Sequence, residues 1–159
     1  MRKVLFMKGS ELRLIEYMEG SKKRFIIPVY QRNYDWKIEN CKQLYDDLIQ
    51  VIKNNSKTHF FGSIVSVYEP SGRNTEFLII DGQQRLTTMS LLFLAMYNLL
   101  EEKIIISEDE SLKDQIYEDF LVDKYQPQEK RMKLKPIKND QKAFSKLFNS
   151  KDDYIKDSN

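Results

Sequence analysis

The sequence holds one cysteine and one histidine in 159 residues. Cys41 alone closes no internal disulfide and builds no cysteine zinc site, which points to a reducing, cytoplasmic setting. A lone His59 excludes multi-histidine metal motifs such as HExxH, and any Ser-His or Cys-His mechanism has only that residue to run through. An excess of one charge is also missing. Twenty-six Lys and Arg face 24 Asp and Glu, a formal net charge of +2, too little for a chain-wide electrostatic grip on nucleic acid, though it leaves room for a local basic patch. Long hydrophobic runs are absent as well. The longest, residues 86–100, spans about 22 Å as a helix at about 1.5 Å per residue, against about 30 Å for a bilayer core. It also contains Thr87, Thr88, Ser90 and Asn98, so it reads as a buried core helix, and no membrane partner is expected. Residues 1–7 (MRKVLFM) hold too short an apolar run for a secretory signal.

What is present suffices for a folded core. Hydrophobic residues make up 41% of the chain and aromatics 12%, which excludes wholesale disorder. The length fits one domain, at about 100–200 residues per domain. Residues 1–149 read as a single domain, and the polar tail 150–159 as the start of a further region. No internal repeat is visible.

Along the chain, Ser10 suits the cap of a helix running to about Met18, with Leu12, Ile15 and Met18 on one face and Gly20 at its end. A short strand at residues 25–27 stops at Pro28. The loop 29–36 follows, then a helix over about 37–53 with an apolar stripe through Ile38, Cys41, Tyr45, Leu48 and Ile52. Residues 59–68 and 75–80 read as the two strands of an antiparallel hairpin turning at 70–72. The second strand enters Asp81-Gly82-Gln83-Gln84-Arg85 directly and then the apolar helix, to about residue 102. A helix over about 112–122, a strand at 132–134 and a helix from about Asp140 complete the order.

The strand–DGQQR–helix junction carries the most chemistry. Free N–H groups at a helix start and the positive end of its dipole make an anion site. Gly82 lets the backbone approach a ligand closely, and Arg85 offers a planar, bidentate partner for phosphate oxygens. Asp81 is placed to hold a magnesium ion or to orient a water, and Gln83 and Gln84 to position a water or a base edge. The same residues also suit a plain helix start, with Asp81 as cap, Gly82 as turn and Arg85 paired with a surface carboxylate. Thr87 and Thr88 fit helix residues bonding their own backbone.

A second cluster lies in residues 27–36 (IPVYQRNYDW). Gln31 and Arg32 suit closure over a phosphate, and Tyr30, Tyr34 or Trp36 suit stacking on a base. Packing against the next helix accounts equally for Tyr34 and Trp36. His59 fits a strand start better than a catalytic base, Cys41 fits core better than nucleophile, and Lys22 to Arg24 fit a solvated face.

These clusters in this order, with HFFGSIV between them and RMKLKPIKNDQKAFSKLF after them, resemble the N-terminal domain of GmrSD-type modification-dependent restriction enzymes, a family also met in other anti-phage systems. The resemblance covers roughly residues 12–148. It implies an α/β (α+β) fold similar to the ParB N-terminal domain and sulfiredoxin: a small mixed sheet with surrounding helices and one long apolar helix after the DGQQR turn. It also implies binding and hydrolysis of a nucleoside triphosphate that depends on a divalent metal, expected to be Mg2+, and is coupled to control of DNA cleavage. By motif, Asp81, Gly82, Gln83, Gln84 and Arg85 form the nucleotide site, joined by Tyr30, Gln31 and Arg32. Asp81, Gln84 and Arg85 are the expected catalytic set and Asp81 the metal ligand. Longer family members carry a histidine-based nuclease motif. This chain holds no such motif, so a nuclease domain or subunit outside it is the expected partner.

Two further function classes fit the same residues. A binding module would use the pocket to sense nucleotide or DNA backbone without turnover. A sulfiredoxin-like activity rests on fold analogy alone, and Cys41, on an apolar helical stripe rather than in the DGQQR turn, argues against it. DNA contact through the full system would draw on Lys130, Arg131, Lys133, Lys135 and Lys138, residues for which plain solvation is the expectation in this domain.

Overall fold

The computed structural model describes residues 12–55, 60–72 and 74–149. The expected cap at Ser10, His59 and the tail 150–159 lie outside the described residues. A short central strand, β1 (Lys23–Ile26), runs parallel to β3 (Asn74–Asp81) on one side and to β4 (Leu134–Lys135) on the other. β2 (Val65–Ser71) pairs antiparallel with the outer side of β3, giving the mixed order β2-β3-β1-β4. Five α-helices accompany the sheet among the described residues: α1 (Leu14–Met18), α2 (Ile38–Lys53), α3 (Gln83–Glu101), α4 (Leu112–Ile116) and α5 (Lys138–Asn149). The α/β class and the hairpin agree with the sequence. None of these helices is long and apolar enough to cross a membrane.

Phe25 and Phe77 are register partners on β1 and β3, and their rings stack at 5.5 Å with Tyr17 of α1 against both. Cross-strand aromatic pairs of this kind fix which face of a sheet is buried. Ile79, Leu86 and Met18 are almost wholly enclosed beside them. Arg24 and Glu76, also register partners, form an ion pair at 3.5 Å, and the Lys23 ammonium bonds the carbonyls of Glu16 and Tyr17 at 3.0 and 3.3 Å. Lys23 and Arg24 are therefore bonded and half-buried rather than a solvated face.

The strands differ from the sequence expectation at three ends. β1 begins two residues earlier than expected, at Lys23. β2 starts at Val65, because residues 60–64 run over the start of α3 instead of joining the ladder. β4 lies at Leu134–Lys135, while Met132 makes only an isolated bridge to Val122. The single helix expected over 112–122 is two pieces. α4 gives way to a wider π turn, Tyr117–Leu121, closed by a 2.8 Å bond from Val122 N to Tyr117 O. A π turn shifts the side chains beyond it relative to an α-helix. Here Phe120 stacks on Phe93 of α3 at 4.2 Å.

The Asp119 carbonyl of the same turn accepts from the Lys133 ammonium, which also donates to Gly20 O. Lys133 is 1% exposed, so neither solvation nor a phosphate-tracking role describes it. Lys130, Arg131 and Lys138 of the same basic stretch are exposed. Asp123 lies nearby. Burial pushes its carboxyl up, but N–H donors from Lys22, Tyr125 and Gln126 hold it below the usual carboxylate range.

Burial lowers the Lys133 ammonium to about 8, against the pull of Asp119 and Asp123. An unfolded lysine titrates at 10.5. Between those two pH values the unfolded chain binds more protons, so stability from this residue rises with pH through the window and is lost as pH falls towards 8. In urea unfolding, the wild-type stability minus that of Lys133→Met is expected to grow between pH 8 and pH 10. A difference that stays flat contradicts the assignment.

Candidate functional site at the β3–α3 junction

β3 ends at Asp81 and α3 starts at Gln83, so the chain turns on Gly82 alone, held in the left-handed region at φ 87° and ψ 10°. A Cβ there would lie 2.9 Å from Ser63 O and 3.0 Å from the Ile64 side chain, so both conformation and space require glycine. The exposed Asp81 carboxylate accepts the Gly82 N–H at 2.8 Å through Oδ1. No side chain caps α3. The plain-cap alternative for Asp81 does not hold, and the first-turn amides of α3 have no side-chain acceptor among the described residues. Arg85 donates to Ser63 O at 3.1 Å, and no carboxylate pairs with it among the described residues. Gly62, at φ 97°, makes room for it, since a Cβ there would come within 2.9 Å of the Arg85 guanidinium.

The two glutamines face the other way. Both are buried, at 7% and 5% exposure. Gln83 Nε2 donates to Arg32 O at 3.1 Å. Gln84 Nε2 donates to Asn33 O at 2.9 Å while its Oε1 accepts Asp35 N–H at 3.0 Å. Gln31 Nε2 donates to Ile80 O at 2.8 Å. A loop with no strand neighbour must still satisfy its backbone groups, and here glutamine amides supply what a ladder would. The Oε1 of Gln83 is buried without a partner. Since Nε2 is fixed on a carbonyl, the amide cannot flip to relieve it.

Tyr34 completes the seam. Its N–H donates to the Asp140 carboxylate at 2.6 Å, and its hydroxyl lies 2.9 Å from Thr88 Oγ1 and 3.3 Å from Cys41 Sγ. Burial, then Cys41, push the phenol up to about 12, against the Thr88 bond that lowers it. Tyr34 therefore joins α2, α3 and α5 and is not a free stacking ring. Thr88 also donates to Gln84 O at 2.8 Å, the backbone bond expected of it. Arg32 and Asp35 pair at 3.3 Å in the open, an interaction of little energetic weight. Tyr30 is 69% exposed.

Two cavities flank the start of α3. One, about 190 Å3, is bordered by Arg32, Tyr34, Gln83, Gln84 and Asp140 and by apolar residues of α3 and α5. The other, about 230 Å3, includes Arg85, Trp36 and the polar face of α2. The described residues contain no group of three or more His, Cys, Asp or Glu that would cage a metal. Asp81 alone, exposed and with one carboxylate oxygen uncommitted, fits magnesium in its usual mode, bound by one or two carboxylates, waters and substrate phosphates.

Of the residues expected at the site, the junction brings together Gln31, Arg32, Gln83 and Gln84 through side-chain-to-backbone bonds. Asp81 and Arg85 lie on the open side of the turn, and Tyr30 stands apart. Gly62, Ser63 and Asp140 were not singled out for these roles. Gly62 and Ser63 carried a signal in the HFFGS string, where a glycine interrupts a strand-like run.

Fold and junction together define an α/β domain organised on a strand–glycine–helix turn. The family model of the GmrSD restriction endonuclease N-terminal domain matches residues 14–159, and the chain belongs to that family. The membership points to a role in a restriction system. No curated protein matches the sequence.

Gln84→Ala leaves Asn33 O and Asp35 N without their partner. It is expected to lower unfolding free energy by about 1–3 kcal/mol in urea denaturation, and a loss under about 0.5 kcal/mol contradicts the clamp.

Proposed function

We propose that this chain is a nucleoside-triphosphate-binding and hydrolysing regulatory domain of a modification-dependent restriction or anti-phage defence system. The carrying observation is the uncapped start of α3, flanked by a guanidinium without a carboxylate partner and by an exposed carboxylate. Helix-end N–H groups and dipole favour a phosphate there, and Arg85 has donors left for a bidentate contact. The space that Gly82 leaves is taken by residues 63–64, so its part is to turn the chain into the helix start. Arg32, exposed and only weakly paired, is a second cation for the phosphates, and Tyr30 a free ring for stacking. Magnesium, when bound with the phosphates at Asp81, neutralises their charge.

Asp81 is the group that orients the attacking water. The water-placing role expected of Gln84 passes to it, because both amide atoms of Gln84 are bonded to the 33–35 backbone. Gln83, Gln84 and Gln31 act by holding the loop. The output of turnover goes to a nuclease domain or subunit outside this chain, and DNA is met through that full assembly. The engagement of Gln84 favours one alternative, a module that binds nucleotide without hydrolysing it.

Phosphate release from the four ribonucleoside triphosphates with magnesium separates the readings. Wild type is expected to release phosphate, Asp81→Ala to lose release while still binding, and Arg85→Ala to bind at least tenfold more weakly. Saturable binding without release supports the binding module, and unchanged affinity in Arg85→Ala removes the phosphate site from this turn.

A further inference from the structure

We infer that the cavity between α2 and residues 60–61 is the base pocket of the nucleotide site, and that Asp47 makes it select guanine. The inference rests on the nucleotide reading above and gives that site a ligand preference. Asn40, Gln43 and Asp47 recur at three- and four-residue spacing on α2, so they share one face of the helix. With Trp36, Phe60 and Arg85 they line a cavity of about 230 Å3. That is smaller than the roughly 300–1,000 Å3 of sites that take a whole drug-sized ligand, and suits one ring system. Aromatic side chains offer the flat surface that bases stack on. Arg85 belongs both to this cavity and to the first turn of α3, so a base here remains joined to phosphates on the helix start.

Asn40 Oδ1 takes the Lys37 N–H at 2.9 Å and Arg85 donates to Ser63 O, while three other polar groups of the cavity are unspent. Asp47, the Gln43 amide and the Trp36 indole N–H have no partner among the described residues. A carboxylate accepts and never donates. Guanine alone among the four bases presents two adjacent N–H donors, at N1 and the N2 amine, that one carboxylate receives side by side. Adenine and cytosine set an acceptor nitrogen beside their amine, and uracil holds a single N–H between two carbonyls. A well-made bidentate pair discriminates by about tenfold or more.

Trp36 is the only tryptophan of the chain, so its emission reports on this cavity. The experiment titrates the full 159-residue chain with the β,γ-imido analogues of GTP, ATP, CTP and UTP, and with inorganic tripolyphosphate, all with magnesium. Calorimetry gives affinity and Trp36 fluorescence gives place. The guanine analogue is expected to bind about tenfold more tightly than the others and to quench Trp36. Tripolyphosphate should bind with little quenching, and Asp47→Asn should level the four affinities while keeping tripolyphosphate binding. Equal wild-type affinities, binding that leaves Trp36 emission unchanged, or a preference that survives Asp47→Asn each overturn the base pocket and leave the nucleotide reading standing. Failure of all four analogues and of tripolyphosphate to bind removes both.

Discussion

The geometry of the site depends on three glutamine side chains bonded to backbone. Residues 31–35 belong to no strand or helix, yet they lie against the junction of β3 and α3. Gln83 takes the Arg32 carbonyl, Gln84 takes Asn33 and Asp35, and Gln31 returns to the Ile80 carbonyl. Uncharged amides suit this work because each offers a donor and an acceptor with no desolvation penalty of a full charge. With Gln83 and Gln84 buried in that seam, the first turn of α3 divides cleanly. One side is structural, and the other holds Asp81 and Arg85.

Two glycines enforce the division. Gly82 turns the chain within one residue and lets residues 63–64 pack on it, while Gly62 leaves the volume that the Arg85 guanidinium fills. Ser63 O then fixes the guanidinium by one bond. An arginine positioned by backbone, with no carboxylate paired to it among the described residues, keeps donors for an anion. The same preparation is absent from the basic stretch before α5, where Lys133 is spent on the Gly20 and Asp119 carbonyls inside the fold.

The class of fold, the hairpin, the existence of α2 and the junction itself were legible in the sequence, since each rests on local periodicity or on a glycine–polar cluster. The stripe expected on α2 was misplaced, because Ile38, Tyr45 and Ile52 are exposed and Leu44 is the residue buried. The roles within the junction were not legible. Nothing local distinguishes a glutamine that faces water from one that bonds a loop about fifty residues away, so Gln84 read as a solvent-facing catalytic group. Lys133 escaped for a similar reason: alternation placed it on a strand, and only the folded chain brings the Gly20 carbonyl and the Asp119 carbonyl of the π turn to its ammonium. The helix expected over 112–122 missed that turn because one five-residue π segment is too short to alter the four-residue spacing of Leu112, Ile116 and Phe120. Resemblance to a family pointed to the junction as the candidate site, while the contacts its residues make needed the long-range structure.

The measurement that bears most directly on the central claim is a residue-resolved map of nucleotide contact. Backbone amide chemical shifts of the isotope-labelled chain, followed on addition of a magnesium-bound β,γ-imido nucleoside triphosphate, supply it. The account predicts the largest changes at the amides of Gly82, Gln83, Gln84 and Arg85, with Asp35 tracking them through its bond to Gln84. Changes confined to the exposed basic residues 130–138, with the first turn of α3 unmoved, would contradict it.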